Sequence, residues 1–176
     1  MKERIIITGH NGYLAKATRK LLIKDYEIIG LSTNKKQINN KDIYYWNPSN
    51  NEIDERALEN CKHIIHLAGY PIIKRWSKIN KKLMYESRIC SSKLLLQKCM
   101  ELDIKPKTFI TASAIGIYGL EANGIKNEND LVGSDWISKM AKDWEDSAEQ
   151  FSKIGSRVIK MRISLLIDKE STFFKY

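Results

Sequence analysis

The chain has 176 residues, 43% of them hydrophobic and 29% charged, a size and balance that fit one soluble domain with a full core and exclude a two-domain or disordered chain. No apolar run approaches the roughly 20 residues needed to cross a bilayer. Strand-forming residues begin at Arg4, leaving no room for a signal or transit peptide, so no membrane is expected and the cytoplasm is the expected compartment. The net charge of +9 comes mostly from dispersed lysines. That is the pattern of a solvated surface, and no nucleic-acid partner is expected; only Lys74-Arg75-Trp76-Ser77-Lys78 with Lys81 and Lys82 is locally dense.

Arg4-Ile5-Ile6-Ile7-Thr8 reads as a buried parallel strand. Gly9-His10-Asn11-Gly12-Tyr13-Leu14-Ala15 follows, with small residues three apart. Glycine at 9 and 12 lets the backbone swing from strand into helix with free N–H groups facing a pyrophosphate, and the small residue at 15 lets helix and strand pack closely. Tyr13 to Lys24 has helical spacing, and Glu27 to Ser32 reads as a second strand, completing a βαβ unit. About 20 residues past such glycines an acid binds the ribose of NAD, whereas a basic residue accommodates the 2′-phosphate of NADP. Ser32-Thr33-Asn34-Lys35-Lys36 carries no acid there, which favours NADP over NAD; the alternative is an ordinary lysine-rich loop.

Asp42 to Trp46 is a third expected strand, closed by Asn47-Pro48 and a polar turn through Asn51. Asp54 to Asn60 is expected as a crossover helix. His63 to Gly69 is a fourth strand whose small end, Leu67-Ala68-Gly69, reaches the sheet edge where such folds bind cofactor. His63 and His66, three apart on a strand, face opposite ways and cannot share a metal, so both read as core or hydrogen-bonded residues and no metal site is expected. Cys61, Cys90 and Cys99 have no C-x-x-C spacing and read as small core residues. A long helix is expected from Trp76 to Leu102, a fifth strand over Thr108 to Ser113, a polar loop over 119–134, a helix from Asp135 to Lys153 ended by Gly155, and a sixth strand from Arg157 to Leu166. Strands alternating with helices predict an α/β fold: one doubly wound parallel sheet of the Rossmann type, a single domain over residues 1–176.

Several segments, taken together and in order, resemble the atypical and extended short-chain dehydrogenase/reductases, the NAD(P)-dependent epimerase/dehydratase group, and within it the epimerase-family oxidoreductases of little-known substrate sometimes labelled cell-division inhibitors. They are the glycine turn from Thr8 to Ala15, Trp46-Asn47-Pro48, His66-Leu67-Ala68-Gly69, Arg75-Trp76, Ser87-Arg88, the stretch from Thr111 to Gly119, and Trp144-Glu145. The resemblance implies that Gly9, His10, Asn11, Gly12, Tyr13, Leu14 and Ala15 surround the cofactor's pyrophosphate, that Ser32, Thr33, Asn34 and Lys35 meet its adenosine end, and that Leu67, Ala68, Gly69 and Arg88 contribute to the same site. It puts Ser113 in the catalytic serine position, where a hydroxyl can bond a substrate oxygen as it becomes a carbonyl; the alternative is a strand-end serine without chemistry.

Two departures from the family pattern bear on activity. The usual Tyr-x-x-x-Lys pair should lie about 25 residues past Ser113, one helical turn apart so that Lys activates the phenol. The chain instead reads Asp135-Trp136-Ile137-Ser138-Lys139-Met140-Ala141-Lys142, with no tyrosine between Tyr118 and Tyr176. Tyr70 to Lys74 has the spacing but contains Pro71 and reads as coincidence; Tyr118 is the remaining catalytic candidate. Relatives also continue into a C-terminal substrate domain, whereas this chain stops at Phe173-Phe174-Lys175-Tyr176. The expected function is therefore an NADP-binding, epimerase- or reductase-like protein of unknown substrate, impaired or inactive alone. The alternative is a non-catalytic dinucleotide-binding regulator. The length expectation leaves three alternatives: a fragment, a decayed gene product, or a dinucleotide-binding domain that borrows its missing half from a homodimer or complementing partner chain.

Overall fold

The computed structural model describes residues 2–39 and 41–167; the end of the chain, with Phe173-Phe174-Lys175-Tyr176, lies outside them. The sheet has seven strands: β1 (Arg4–Thr8), β2 (Glu27–Ser32), β3 (Ile43–Asn47), β4 (Glu52–Ile53), β5 (Cys61–His66), β6 (Thr108–Ala114) and β7 (Arg157–Ile163), in the order β4-β3-β2-β1-β5-β6-β7. All pairings are parallel except that of β4, which turns back antiparallel on β3. Three helices connect them: α1 (Tyr13–Leu22), α2 (Lys78–Glu101) and α3 (Trp136–Glu149).

Strand alternation assigns the two faces. Ile6, Ile29, Ile64 and Phe109 point to one side, where they pack with Leu94, Leu95 and Cys99 of α2 and with Ala148 of α3. Phe109 stacks on Phe151 there at 3.7 Å between ring centroids. Ile5, Ile7, Ile28 and Ile65 point to the other side, against Ala15 of α1. Burying side chains of this size contributes roughly 1.5–3 kcal/mol each, which explains why β-branched residues fill both faces of the central strands. With helices on both faces, the sheet is doubly wound as expected. Among the described residues no helix is long and apolar enough to cross a membrane.

The element borders reflect local chemistry. Ser77 and Asp135 cap α2 and α3 by accepting backbone N–H bonds from Asn80 and Ser138, so α2 starts two residues after Trp76. The final turn after α3 tightens to a 3-10 helix over Gln150–Ile154 and stops at Gly155, φ 88°. The expected helix over Asp54 to Asn60 does not form. Those residues hold only a 3-10 turn, Glu55–Ala57, after the unanticipated strand β4. A segment so short cannot offset the cost of helix nucleation, and Asn60 turns left-handed at φ 56°. Ala57 and Leu58 instead plug the core with 0% exposure. The fourth expected strand ends at His66 rather than Gly69, because the Thr8 hydroxyl captures the N–H groups of Leu67 and Ala68 and draws the chain out of the ladder.

Candidate functional site

Among the described residues, two clefts open at the sheet's carboxyl edge. The first, about 490 Å³, opens where the chain leaves β1 toward α1 and β5 toward α2, the two helices lying on opposite faces. This is the switch point where open α/β sheets bind ligands. Gly9 stands at φ 64°, and a Cβ there would lie 2.9 Å from the Cα of Ala68, so only glycine fits. Gly12 is the N-cap of α1, has no side chain to cap it, and no acid lies in the helix's first turn. The positive end of the helix dipole therefore faces the cleft without a capping side chain or an acid, and an anionic diphosphate matches it.

A buried histidine holds the two walls together. Thr8 Oγ1 accepts N–H bonds from Leu67 and Ala68, both at 3.0 Å, so its own hydrogen goes to His66 Nδ1 at 2.7 Å. The His66 proton then sits on Nε2 and is donated to Ser91 Oγ at 2.9 Å, while Ser91 donates to the Ser87 carbonyl. Burial lowers the His66 pKa to about 4. The unfolded chain, titrating near 6.5, binds a proton the native state refuses. This contribution to stability is complete above pH 6.5 and is lost as pH falls toward 4, on the order of 3 kcal/mol. Urea unfolding at a series of pH values should show that decline, and His66→Phe should flatten it while lowering stability at neutral pH; an unchanged profile in the variant would remove His66 as its source. His63, on the opposite face, bonds Thr108 and Glu3.

Of the residues expected around the cofactor, Gly9, His10, Asn11, Gly12, Ser32, Thr33, Leu67, Ala68 and Gly69 line this cleft. Tyr13, Leu14, Ala15, Asn34, Lys35 and Arg88 do not. Ala15 packs on Ile5 and Ile7, and Lys35 Nζ stands 5.2 Å over the Tyr45 ring. Arg88 lies behind Gly69, where a Cβ would come within 3.0 Å of its Cζ. Its Nη1 donates to the carbonyls of Tyr70 and Met84, its guanidinium covers the Trp144 ring, and burial lowers its pKa to about 10. Trp46, Asn47 and Pro48 form a wall that sequence reasoning did not assign to the site. The signal was present, since Trp46-Asn47-Pro48 is one of the segments shared with the resembled family.

The second cleft, about 680 Å³, lies at the ends of β6 and β7 and is lined by Tyr118 and Arg162. Ser113, 3% exposed, lines neither cleft and donates to Glu145 Oε1 at 2.6 Å. Glu145 grips Arg162 through two bonds, at 2.9 and 3.0 Å. Arg162 donates in turn to the Tyr118 hydroxyl at 2.8 Å, and that hydroxyl donates to the Asn127 carbonyl. Burial pushes the Glu145 carboxyl up, but the bonds from Arg162 and Ser113 outweigh it and hold it below the ordinary value. Both catalytic candidates are thus engaged within the protein. Tyr70 and Lys74 sit on the irregular link between β5 and α2, not on one helix face.

The sequence profile of the NAD dependent epimerase/dehydratase family matches residues 5–142. The chain belongs to this family. An epimerase family protein of Mycobacterium leprae is 28% identical over 171 residues, which cover 97% of this chain and 55% of that protein. Epimerase/dehydratase relatives with solved structures include a nucleoside-diphosphate sugar epimerase from Corynebacterium glutamicum, with TM-score 0.75 and 27% identity over 92% of this chain and 34% of that one. The human epimerase family protein SDR39U1, solved with NADPH, shares the fold at TM-score 0.72 and 19% identity, over 90% of this chain and 52% of that one. The chain thus spans about half the length of the epimerase-family protein it matches in the bacterium.

Proposed function

We propose that this epimerase/dehydratase family member binds a nicotinamide dinucleotide in the first cleft, NADP in preference to NAD, and turns over carbonyl compounds or sugar nucleotides weakly or not at all by itself. The observation that carries the reading is the glycine cradle, Gly9 pressed on Ala68 with Gly12 leaving the α1 terminus uncapped. When bound, the dinucleotide supplies hydride-transfer chemistry. The chain's part is to seat the diphosphate on α1, to hold the Leu67–Gly69 wall through Thr8 and His66, and to leave the β2 side of the cleft without a carboxylate, since Ser32 and Thr33 stand at the strand end. The family's description names NAD, whereas the human relative was solved with NADPH, so the preference rests on this chain's own residues.

Weak turnover is supported by the commitment of Ser113 to Glu145 and of Tyr118 to Asn127 and Arg162. General acid–base catalysis is typically worth 10²–10⁴-fold, and a hydroxyl already bonded to protein contributes little of it. The same engagement favours the second reading, a regulator that uses the dinucleotide as a sensing ligand. NADPH oxidation over a panel of carbonyl compounds tests this, comparing the wild type with Ser113→Ala and Tyr118→Phe. Background rates in all three are expected. Substantial activity that falls in either variant would overturn the non-catalytic reading. Self-association or a complementing chain is supported by the half-buried apolar strip of Ile110, Ile159, Met161 and Ile163 on β6 and β7.

A further inference from the structure

Residues 119–133 form a loop that gives no side chain to the core: every residue from Leu120 to Asn129 is exposed, as are Leu131 and Val132. Its two ends nevertheless meet. The Gly133 N–H donates to the Ile117 carbonyl at 2.9 Å, and a Cβ on Gly133 would lie 2.7 Å from the Gly119 Cα, so the two glycine backbones are in contact. Gly119 itself turns at φ 105°, a value that residues with a side chain rarely adopt. A surface loop of this length with joined ends is an Ω-loop. It bends over the second cleft and contributes Leu120, Ala122, Gly124, Lys126, Asn127 and Glu128 to the lining, while Tyr118 and Arg162 line it from the ends of the strands.

Two bonds reach from the strand ends to the middle of this loop. The Tyr118 hydroxyl donates to the Asn127 carbonyl at 2.9 Å, and Arg162 Nη1 donates both to the Glu128 carbonyl at 3.0 Å and to the Tyr118 hydroxyl at 2.8 Å. Asp130 holds the two carbonyls in place by accepting the Asn127 N–H at 2.8 Å. The other donors of Arg162 grip Glu145, which keeps the guanidinium on the sheet when the loop moves. A segment with so few ties and no core side chain opens at a far lower free energy than the core does. We propose that residues 119–133 are a lid over the second cleft, hinged where Gly119 meets Gly133 and latched shut by Tyr118 and Arg162 on the carbonyls of Asn127 and Glu128. Opening removes both carbonyls and turns the freed donors of Tyr118 and Arg162 toward the acceptor oxygens of a ligand in the cleft. The engagement that idles Tyr118 thus belongs to the closed state, and the lid stands or falls independently of the dinucleotide reading.

Limited trypsin digestion followed by mass spectrometry tests the lid on the wild type, Tyr118→Phe and Asp130→Ala, with thermal melting as the folding control. A protease must draw several residues into its own active site, so the rate of cleavage after Lys126 reports how often the lid is open. Tyr118→Phe removes the latch hydroxyl, whereas Asp130→Ala loosens the two carbonyls and leaves Tyr118 intact. Each should speed cleavage after Lys126 about fivefold, the change in opening expected from one lost hydrogen bond. Cleavage after Lys36, in the exposed turn between β2 and β3, should keep its wild-type rate in both. Equal cleavage after Lys126 in all three folded proteins would overturn the latch. Hydrogen exchange on the wild type needs no variant: the Asn127 and Asn129 amides should exchange by local opening, far faster than those of β6. Protection as long as that of β6 would make the loop a fixed part of the fold and overturn the lid.

Discussion

Gly12→Val should abolish dinucleotide binding, loosening NADPH and NADH alike by at least a hundredfold, while the protein stays folded. Gly12 has φ −65° and ψ 156°, values any residue adopts, and its Cβ would meet only the Gly9 carbonyl, at 3.1 Å. The backbone therefore tolerates the change, at about 1 kcal/mol for a poorer N-cap. The two methyl groups, however, would stand in front of the N–H groups that face the diphosphate. Gly9→Val is the contrasting case. Its φ of 64° and the 2.9 Å approach to Ala68 Cα damage the fold itself, on the order of 3 kcal/mol or more, so lost binding would come with a lower melting temperature. Calorimetry beside thermal melting distinguishes the two. Retained binding in Gly12→Val would mean that the diphosphate lies elsewhere.

The second large effect is on stability. Glu145→Ala should cost about 3–5 kcal/mol, because it strips a partly buried guanidinium of its carboxylate and leaves the Ser113 hydroxyl without its acceptor. Ser113→Ala alone should cost nearer 1 kcal/mol, the usual net worth of one hydrogen bond. Replacing Glu145 and Arg162 together by Met should recover much of the loss, since an unpaired buried charge is worse than no charge. Urea unfolding of the three variants measures this. A double variant that loses as much as Glu145→Ala alone would show that the pair contributes net stability rather than mutual neutralisation.

The parts legible in the sequence were those written in consecutive residues. Three isoleucines, two glycines at a spacing of three and a small residue at 15 spell β1, the turn and α1, because each step there depends on near neighbours. The β3–β4 hairpin and the 3-10 turn at Glu55–Ala57 were not legible, since seven polar-leaning residues fit a short helix as well as an edge turn. The network of Ser113, Tyr118, Glu145 and Arg162 was invisible for another reason. Its members come from β6, the turn after it, α3 and β7, and no periodicity links them until the sheet brings those ends together. Charge at the expected spacing also said nothing of the Tyr45 ring that the Lys35 ammonium covers.

The central claim is that a dinucleotide occupies the first cleft, and amide chemical-shift mapping by NMR during NADPH titration tests it most directly. The account predicts saturable shifts concentrated at Gly9 to Ala15, at Ser32 and Thr33, and at Leu67 to Gly69, with the amides of Gly119 and Gly124 in the second cleft unmoved. Shifts confined to the second cleft, or no saturable shift at millimolar NADPH, would contradict it.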